Sequence, residues 1–308
     1  MDIQSRIEDV IAPLGIEVGF QATHLPTGEV VAIEPHRLFP TASVYKIPVM
    51  VEVYRQADAG RFSMSDRMAL ADAQRIIGSG VLQKLDAGLA PTIRDLVMLM
   101  IVVSDNTATH MLQERVGSAA VTQTMRRLGL QDINVSLPMP ALFAHGYGLP
   151  PEPLPDYGQM LAASRERDMD YGGLAFRRSP ENTTASAADM AALCAMILQG
   201  KAGSPAACAD MLAILRAQQL RDRVPRFLPV GAVANKTGSF RKVRNDAGLI
   251  LRGEGDAISF ALFTHDPTDL PMGNSRILAR RNALVDLAMA EIGGILWDGF
   301  GVAPAARG

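Results

Sequence analysis

Two blocks of strand-like alternation, one at each end of a 308-residue chain, enclose a long helical middle, and that order leaves few folds open. After an amphipathic first helix carrying Ile3, Ile7, Val10 and Ile11, residues 17–25 alternate with Val18, Phe20 and Ala22 on one face. The segment "LPTGE" then turns into "VVAIE", a hairpin signature. Near the other end, "GAVANKTGSF", "NDAGLILRG" and "AISFALFTHD" give three more strands, the last two joined by a tight turn at Gly253-Glu254-Gly255. A final helix from about Ser275 to Leu296 follows. Between the blocks, Thr92-x-x-Asp95 and Ser186-x-x-Asp189 read as capping boxes opening apolar helices.

Strands from both ends and helices between them predict an α+β fold in one domain spanning 1–308, with an antiparallel sheet of about five strands flanked by helices. Residues 1–42 and 226–308 supply the sheet, and 43–225 form an inserted, mainly helical part. Inside it, a Pro/Gly-rich stretch from about 130 to 182 shows little periodicity and reads as an extended loop, a common home for function. A cleft between the two parts is the expected site.

Composition narrows the partners. With 30 Lys+Arg against 32 Asp+Glu, a formal charge of -2 and no block of like charges, nothing favours nucleic acid or a membrane surface. A small-molecule substrate is expected, with no cofactor or metal and a monomeric state. The two cysteines, Cys194 and Cys208, have no partner cysteine or histidine at metal-ligand spacing, and Cys194 reads as a core thiol. The acidic, amphipathic start is unlike a secretory leader, so a cytoplasmic location is expected for the chain as written, or a periplasmic or secreted one if a leader was removed.

Three short motifs carry the chemistry: Ser43-x-x-Lys46 at the opening of a helix, Ser104-Asp105-Asn106 after an apolar helical run, and Lys236-Thr237-Gly238 on a strand. Each alone is weak. Ser43 by itself reads as a helix cap, Lys46 as a surface lysine and Lys236 as an exposed strand lysine. In this order they match the set used by penicillin-binding proteins and class A β-lactamases.

The chain resembles the class A β-lactamase-like serine hydrolases along most of its length. The similarity runs through "GEVVAIEPHRLFPTASVYKIPV", "GSGVLQKLDAGLAPTIRDLVMLMIVVSDNTATHML", "NTTASAADMAAL" and "LRDRVPRFLPVGAVANKTGSFRKVRNDAGLI". It implies a Ser43 nucleophile and an oxyanion hole formed by the backbone N–H groups of Ser43 and Ser239. A serine hydroxyl needs a base, and a lysine one helical turn away, desolvated beside another cation, is suited to that role, which makes Lys46 the candidate proton acceptor. Ser104 would pass a proton to the leaving group and Asn106 would orient substrate and Lys46, while Asp105 is structural. Lys236, Thr237 and Ser239 offer a donor-rich edge for a substrate carboxylate. Arg244 would either assist there or serve in a surface or salt-bridge role.

One family feature is missing. Class A β-lactamases carry an omega-loop glutamate that activates water for deacylation, and the matching segment, "QDINVSLPMPALFAHG", has none. The remaining candidates on the loop are Glu152, Glu166, Asp168, Asp170 and Glu181, together with His145. His24, His36, His110 and His265 read as structural. A serine hydrolase acting on a lactam, amide or ester is therefore expected, with efficient β-lactam turnover in question. An esterase or D-amino-acid peptidase, and a non-catalytic ligand sensor, are the alternatives.

Overall fold

The computed structural model of the chain describes residues 2–268 and 275–301. Helix α1 (Ile3–Ile11) is capped by Asp2, whose carboxylate accepts from the Ser5 N–H. Strands β1 (Glu17–His24) and β2 (Glu29–Ile33) form the expected hairpin. The short β3 (Phe39–Pro40) leads into a 3₁₀ turn, Ala42–Tyr45, and then α2 (Lys46–Asp58). Helices α3 (Ile93–Val102), α4 (Asn106–Val116) and α5 (Ser118–Arg127) follow, with Thr92 closing its capping box on Asp95 as the sequence predicts.

Helices α6 (Met139–Tyr147) and α7 (Tyr157–Glu166) occupy the stretch expected to be an irregular loop. The physical reasons are local. Asp156 and Gln159 make a capping box that starts α7, and Gly148, at φ +62°, takes the left-handed conformation that ends α6. Proline at 140 sits in the first turn of α6, where its missing N–H costs nothing. Strand β4 (Thr184–Ala185) pairs with β3, and helices α8 (Ala187–Leu198) and α9 (Pro205–Arg216) complete the helical part.

The chain returns to the sheet through β5 (Val233–Phe240), β6 (Val243–Gly253) and β7 (Asp256–His265), and ends in α10 (Ser275–Gly299). The sheet has five antiparallel strands in the order β2-β1-β7-β6-β5, as predicted. The central strand β7 is buried on both faces. Ile258, Phe260 and Leu262 pack with α1 and α10, while Ala261 and Phe263 join the core of the helical part. That double burial explains its almost continuous apolar run. Cys194 and Cys208 are both free and buried in the helical core.

Two consequences of this topology position the site. The third motif lies on β5, an edge strand, so backbone groups on its outer side are left free to meet a ligand. Gly238 also lets that strand close on the Ser43 turn, because a Cβ there would sit 2.6 Å from the Thr41 carbonyl oxygen and 3.1 Å from the Val44 nitrogen.

Candidate active site

Ser43 lies within the 3₁₀ turn, three residues before α2 begins, and its side chain caps neither element. The sequence places it at the helix opening. The structure sets it one step earlier, after Ala42, which takes a left-handed φ of +44°. Ser104, at φ +56°, and Arg241, at φ +51°, share this strain. Among the described residues, three of the four non-glycine positions with left-handed φ thus fall at this site, each costing about 1–3 kcal/mol that the surrounding packing must offset.

Lys46 is fully buried and all three of its protons are used. Its Nζ donates to the Ser104 carbonyl at 2.8 Å, to Ser104 Oγ at 3.1 Å and to Asn106 Oδ1 at 2.9 Å. No hydrogen bond joins it directly to Ser43, so the first and second motifs meet through Ser104 and Asn106. Burial, with Lys236 nearby, holds the Lys46 ammonium well below its ordinary value against an opposing pull from Asp105.

Asp105 fastens this arrangement, as its predicted structural role requires. Its Oδ2 accepts from the Val81 and Leu82 N–H groups at 2.6 and 2.9 Å, and its Oδ1 caps α4 through the Ala108 N–H at 2.9 Å. Asn106 Nδ2 donates to the Ile77 carbonyl at 2.8 Å, and Ser79 Oγ donates to the Ser104 carbonyl at 2.9 Å. The loop before α3 therefore holds the second motif in place. Sequence reading gave no weight to Ser79.

Lys236 is fully buried, and its Nζ donates to the Thr237 carbonyl at 2.7 Å. Burial and the Arg223 guanidinium bring its pKa down to about 7, with Asp246 pulling the other way. Thr237 is buried beside it, whereas Ser239 is exposed and lines the cleft.

Arg223 was not singled out by sequence. Although 2% exposed, it reaches under β5. It donates to the Gly238 carbonyl at 2.8 Å, to the Asn245 carbonyl at 2.5 Å, to Asp286 at 2.8 Å and to Ser239 Oγ. No local pattern distinguishes this arginine from solvated ones, because its burial comes from α10 and the sheet. Arg244, offered as a carboxylate contact, makes a bidentate pair with Asp286 and reaches Ser239 Oγ at 3.3 Å; like Lys46, Ser104, Lys236 and Thr237, it lies behind the cleft lining rather than on it. This favours its salt-bridge role.

The cleft, about 250 Å³, opens between the Ser43 turn, Asn106, the end of β5 and the 139–183 segment. Its far wall is apolar: Met139, Leu142, Phe143 and Tyr147 come from α6, with Met169 and Ala175 beyond it. Among the described residues, no aspartate, glutamate or histidine lines it. Glu152, Glu166, Asp168, Asp170 and Glu181 are all exposed, Glu166 beside a separate surface pocket, and His145 is half-buried outside the cleft wall. Physically, the helices that replaced the irregular loop turn their apolar faces inward and leave these acids in solvent.

Two of the other histidines are held in place by hydrogen bonds: His24 bonds to Asp256 at 3.1 Å and to Thr27 at 2.8 Å, and His265 bonds to Glu17 at 2.9 Å. His110 lies 3.6 Å from Glu114 on its own helix, and His36 is exposed. Among the described residues no group of His, Cys, Asp and Glu has a metal-binding arrangement.

Known proteins resemble the chain over most of its length. The description "Beta-lactamase enzyme family" matches residues 2–300. A beta-lactamase regulatory protein, BlaB, of Streptomyces cacaoi is 26% identical over 292 residues, covering 89% of this chain and 93% of that protein. A beta-lactamase of Sphaerobacter thermophilus has a similar structure, with a TM-score of 0.75 and 31% identity over 98% of this chain and 97% of that one. PBP-A, one mutant of which is known as an acyl-enzyme complex with penicillin G, shares the fold at a TM-score of 0.72 and 23% identity, over 96% of this chain and 94% of its own. The matched family description and the sheet-plus-helices fold lead to one conclusion: the chain belongs to the beta-lactamase enzyme family of serine hydrolases.

Proposed function

We propose that the protein is a serine acyl hydrolase in which Ser43 attacks a lactam, amide or ester carbonyl and then releases the acyl group slowly. The observation that carries this reading is the buried Lys46, gripped by Ser104 and Asn106 behind the Ser43 turn, while the cleft that Ser43 and Asn106 line has no carboxylate among the described residues. A depressed ammonium pKa populates the neutral amine that can accept the Ser43 proton. As the Ser43 Oγ–C bond forms, the carbonyl oxygen gathers charge between the Ser43 and Ser239 N–H groups. The C–N or C–O bond then breaks, and Ser104, relaying a proton from Lys46, protonates the departing group. Lys236, Thr237 and Ser239 hold the substrate carboxylate, and Arg223 orients the Ser239 hydroxyl. With no acid or histidine on the cleft wall to activate water, the ester to Ser43 persists.

The test is incubation with a fluorescent penicillin, followed over time by intact mass. A Ser43-dependent adduct that decays slowly, absent in Ser43→Ala, supports the reading; no adduct or turnover on penicillins, cephalosporins or simple esters would sink it. The apolar, acid-free cleft also favours an esterase or D-amino-acid amidase that β-lactams acylate only as pseudo-substrates. Similarity to the Streptomyces regulatory protein favours a ligand sensor, which would give a reversible complex with no mass shift.

A further inference from the structure

We propose that the loop between α9 and β5 is a membrane-docking surface, which dips Leu220, Phe227 and Val230 into an anionic lipid interface and sets three arginines against its phosphates. The surface lies apart from the Ser43 cleft and does not rest on the acyl-enzyme reading.

The loop is pinned from within and apolar on its outside. On the inner side, Gln218 donates to the Ile101 carbonyl at 2.8 Å, Arg223 is locked beneath the sheet, and Val224 and Leu228 join the core that packs on α10. On the outer side, Leu220 is 43% exposed, Phe227 55% and Val230 93%. One exposed leucine is ordinary. Three apolar side chains held outward by a backbone fixed from behind mark a surface that meets something. Val230 stands at the tip of a tight turn: Gly231 follows it at φ +83°, and the Ala232 N–H donates back to the Pro229 carbonyl at 3.1 Å.

Arginines rim that tip. The Arg221 guanidinium reaches the Pro229 carbonyl at 3.5 Å, Arg216 comes within 3.9 Å of where a Cβ on Gly231 would stand, and Arg226 lies over the Phe227 ring at 5.9 Å. Among the described residues none of the three is in an ion pair. The one acid of the loop, Asp222, sits 3.9 Å from Arg244 instead. The formal charge of -2 gave no reason to expect a membrane surface, but it averages over this local excess.

Shape and charge together favour lipid over protein. A turn tip whose valine is almost wholly exposed is convex, and a bilayer yields around such a tip where a protein partner would need a matching hollow. Guanidinium groups stay charged and bind phosphate with two parallel hydrogen bonds, while a phenylalanine and a valine beside them suit the boundary between headgroups and acyl chains. Strand β5 runs about 20 Å from Val233, at the end of the loop, to Ser239, so the docked face is well removed from the cleft.

Flotation with phosphatidylcholine vesicles, made with and without phosphatidylglycerol, tests the idea. Expected is binding to the anionic vesicles alone, weakened by salt and by about fivefold in each of Arg216→Gln, Arg221→Gln and Arg226→Gln. Val230→Asp should weaken it by about tenfold or more. Because Val230 touches almost nothing in the fold, that variant should keep the melting temperature of the unaltered chain, which separates lost docking from unfolding. In Val230→Trp, tryptophan emission should shift to the blue on anionic vesicles and stay in place on neutral ones. Absence of flotation with anionic vesicles, or flotation that Val230→Asp leaves intact, would overturn the proposal. So would self-association in sedimentation velocity that Val230→Asp abolishes, since a second copy of the chain would then cover the patch.

Discussion

The two sides of the cleft are built on opposite principles. Behind Ser43, Lys46, Ser104, Asn106 and Lys236 are buried, with the protons of Lys46 fully engaged and the connecting backbone strained at Ala42 and Ser104. Facing them, α6 and the segment beyond it offer methionine, leucine and aromatic rings and no titratable acid. On the proposed reading, the first side makes the bond to Ser43 and the second lacks a group to break it with water, so that making and breaking would fall to separate segments.

The sharpest way to break this contrast is on the polar side. Lys46→Met should lower the rate of Ser43 acylation by about 10³, near the upper range for a lost general base, with the fold intact by circular dichroism. An equal rate in the variant would mean that another group takes the Ser43 proton. A smaller effect of opposite sense is expected on the apolar side. Leu142→Glu places a carboxylate on the α6 wall and should shorten the adduct lifetime about tenfold or more while leaving the acylation rate within a few-fold. An unchanged lifetime would show that something other than the missing acid holds the acyl group.

The pH profile separates the two buried lysines. Lys46 must be neutral to act, so acylation should rise with pH as it loses its proton, early because its pKa is depressed. In the proposed mechanism Lys236 holds a carboxylate by its charge, and with a pKa of about 7 that charge is lost as pH climbs past that value. The expected profile is a bell, and Lys236→Arg should remove its falling limb from the neutral range because a guanidinium keeps its proton. A falling limb that persists in that variant would assign it elsewhere.

The smallest effect concerns how the two parts are joined. Glu17 on β1 binds Arg37, Arg178 and His265. Burial opposes its ionisation, but the hydrogen bonds from Arg178 and His265 outweigh it and bring its pKa to about 2. A folded-state pKa below the unfolded one adds stability above about pH 4.5 that is lost as pH falls toward 2. Glu17→Gln should cost about 1 kcal/mol at neutral pH and flatten the acid limb of thermal unfolding. An acid limb as steep as in the unaltered chain would remove Glu17 from that role.

The sheet was readable because its signals are local: Val18, Phe20 and Ala22 alternate on β1, Gly253-Glu254-Gly255 turns, and Thr92 caps α3. The three motifs were readable because their order is linear. What could not be read depends on contacts made only after folding. The Met139–Tyr147 helix is apolar nearly all round, so no periodicity marks it, although the Asp156-x-x-Gln159 box gave a start for α7 that went unused. Arg223 and Arg244 are set apart from solvated arginines by Asp286, which α10 brings to both. Lys46 was expected to face Ser43 by helical spacing, yet its protons go to Ser104 and Asn106 because the residues between Ser43 and α2 wind as a tighter turn.

Gly238 sets a tolerance for the whole molecule. The gap between the edge strand and the serine turn is one methyl group too narrow for alanine. Two segments synthesised far apart are thereby gauged against each other by a missing carbon, and a backbone drift of a few tenths of an ångström in either would alter the aperture where the proposed mechanism lodges the acyl oxygen. Substitutions deep in the helical core or the sheet can therefore detune the chemistry while leaving every reactive side chain in place.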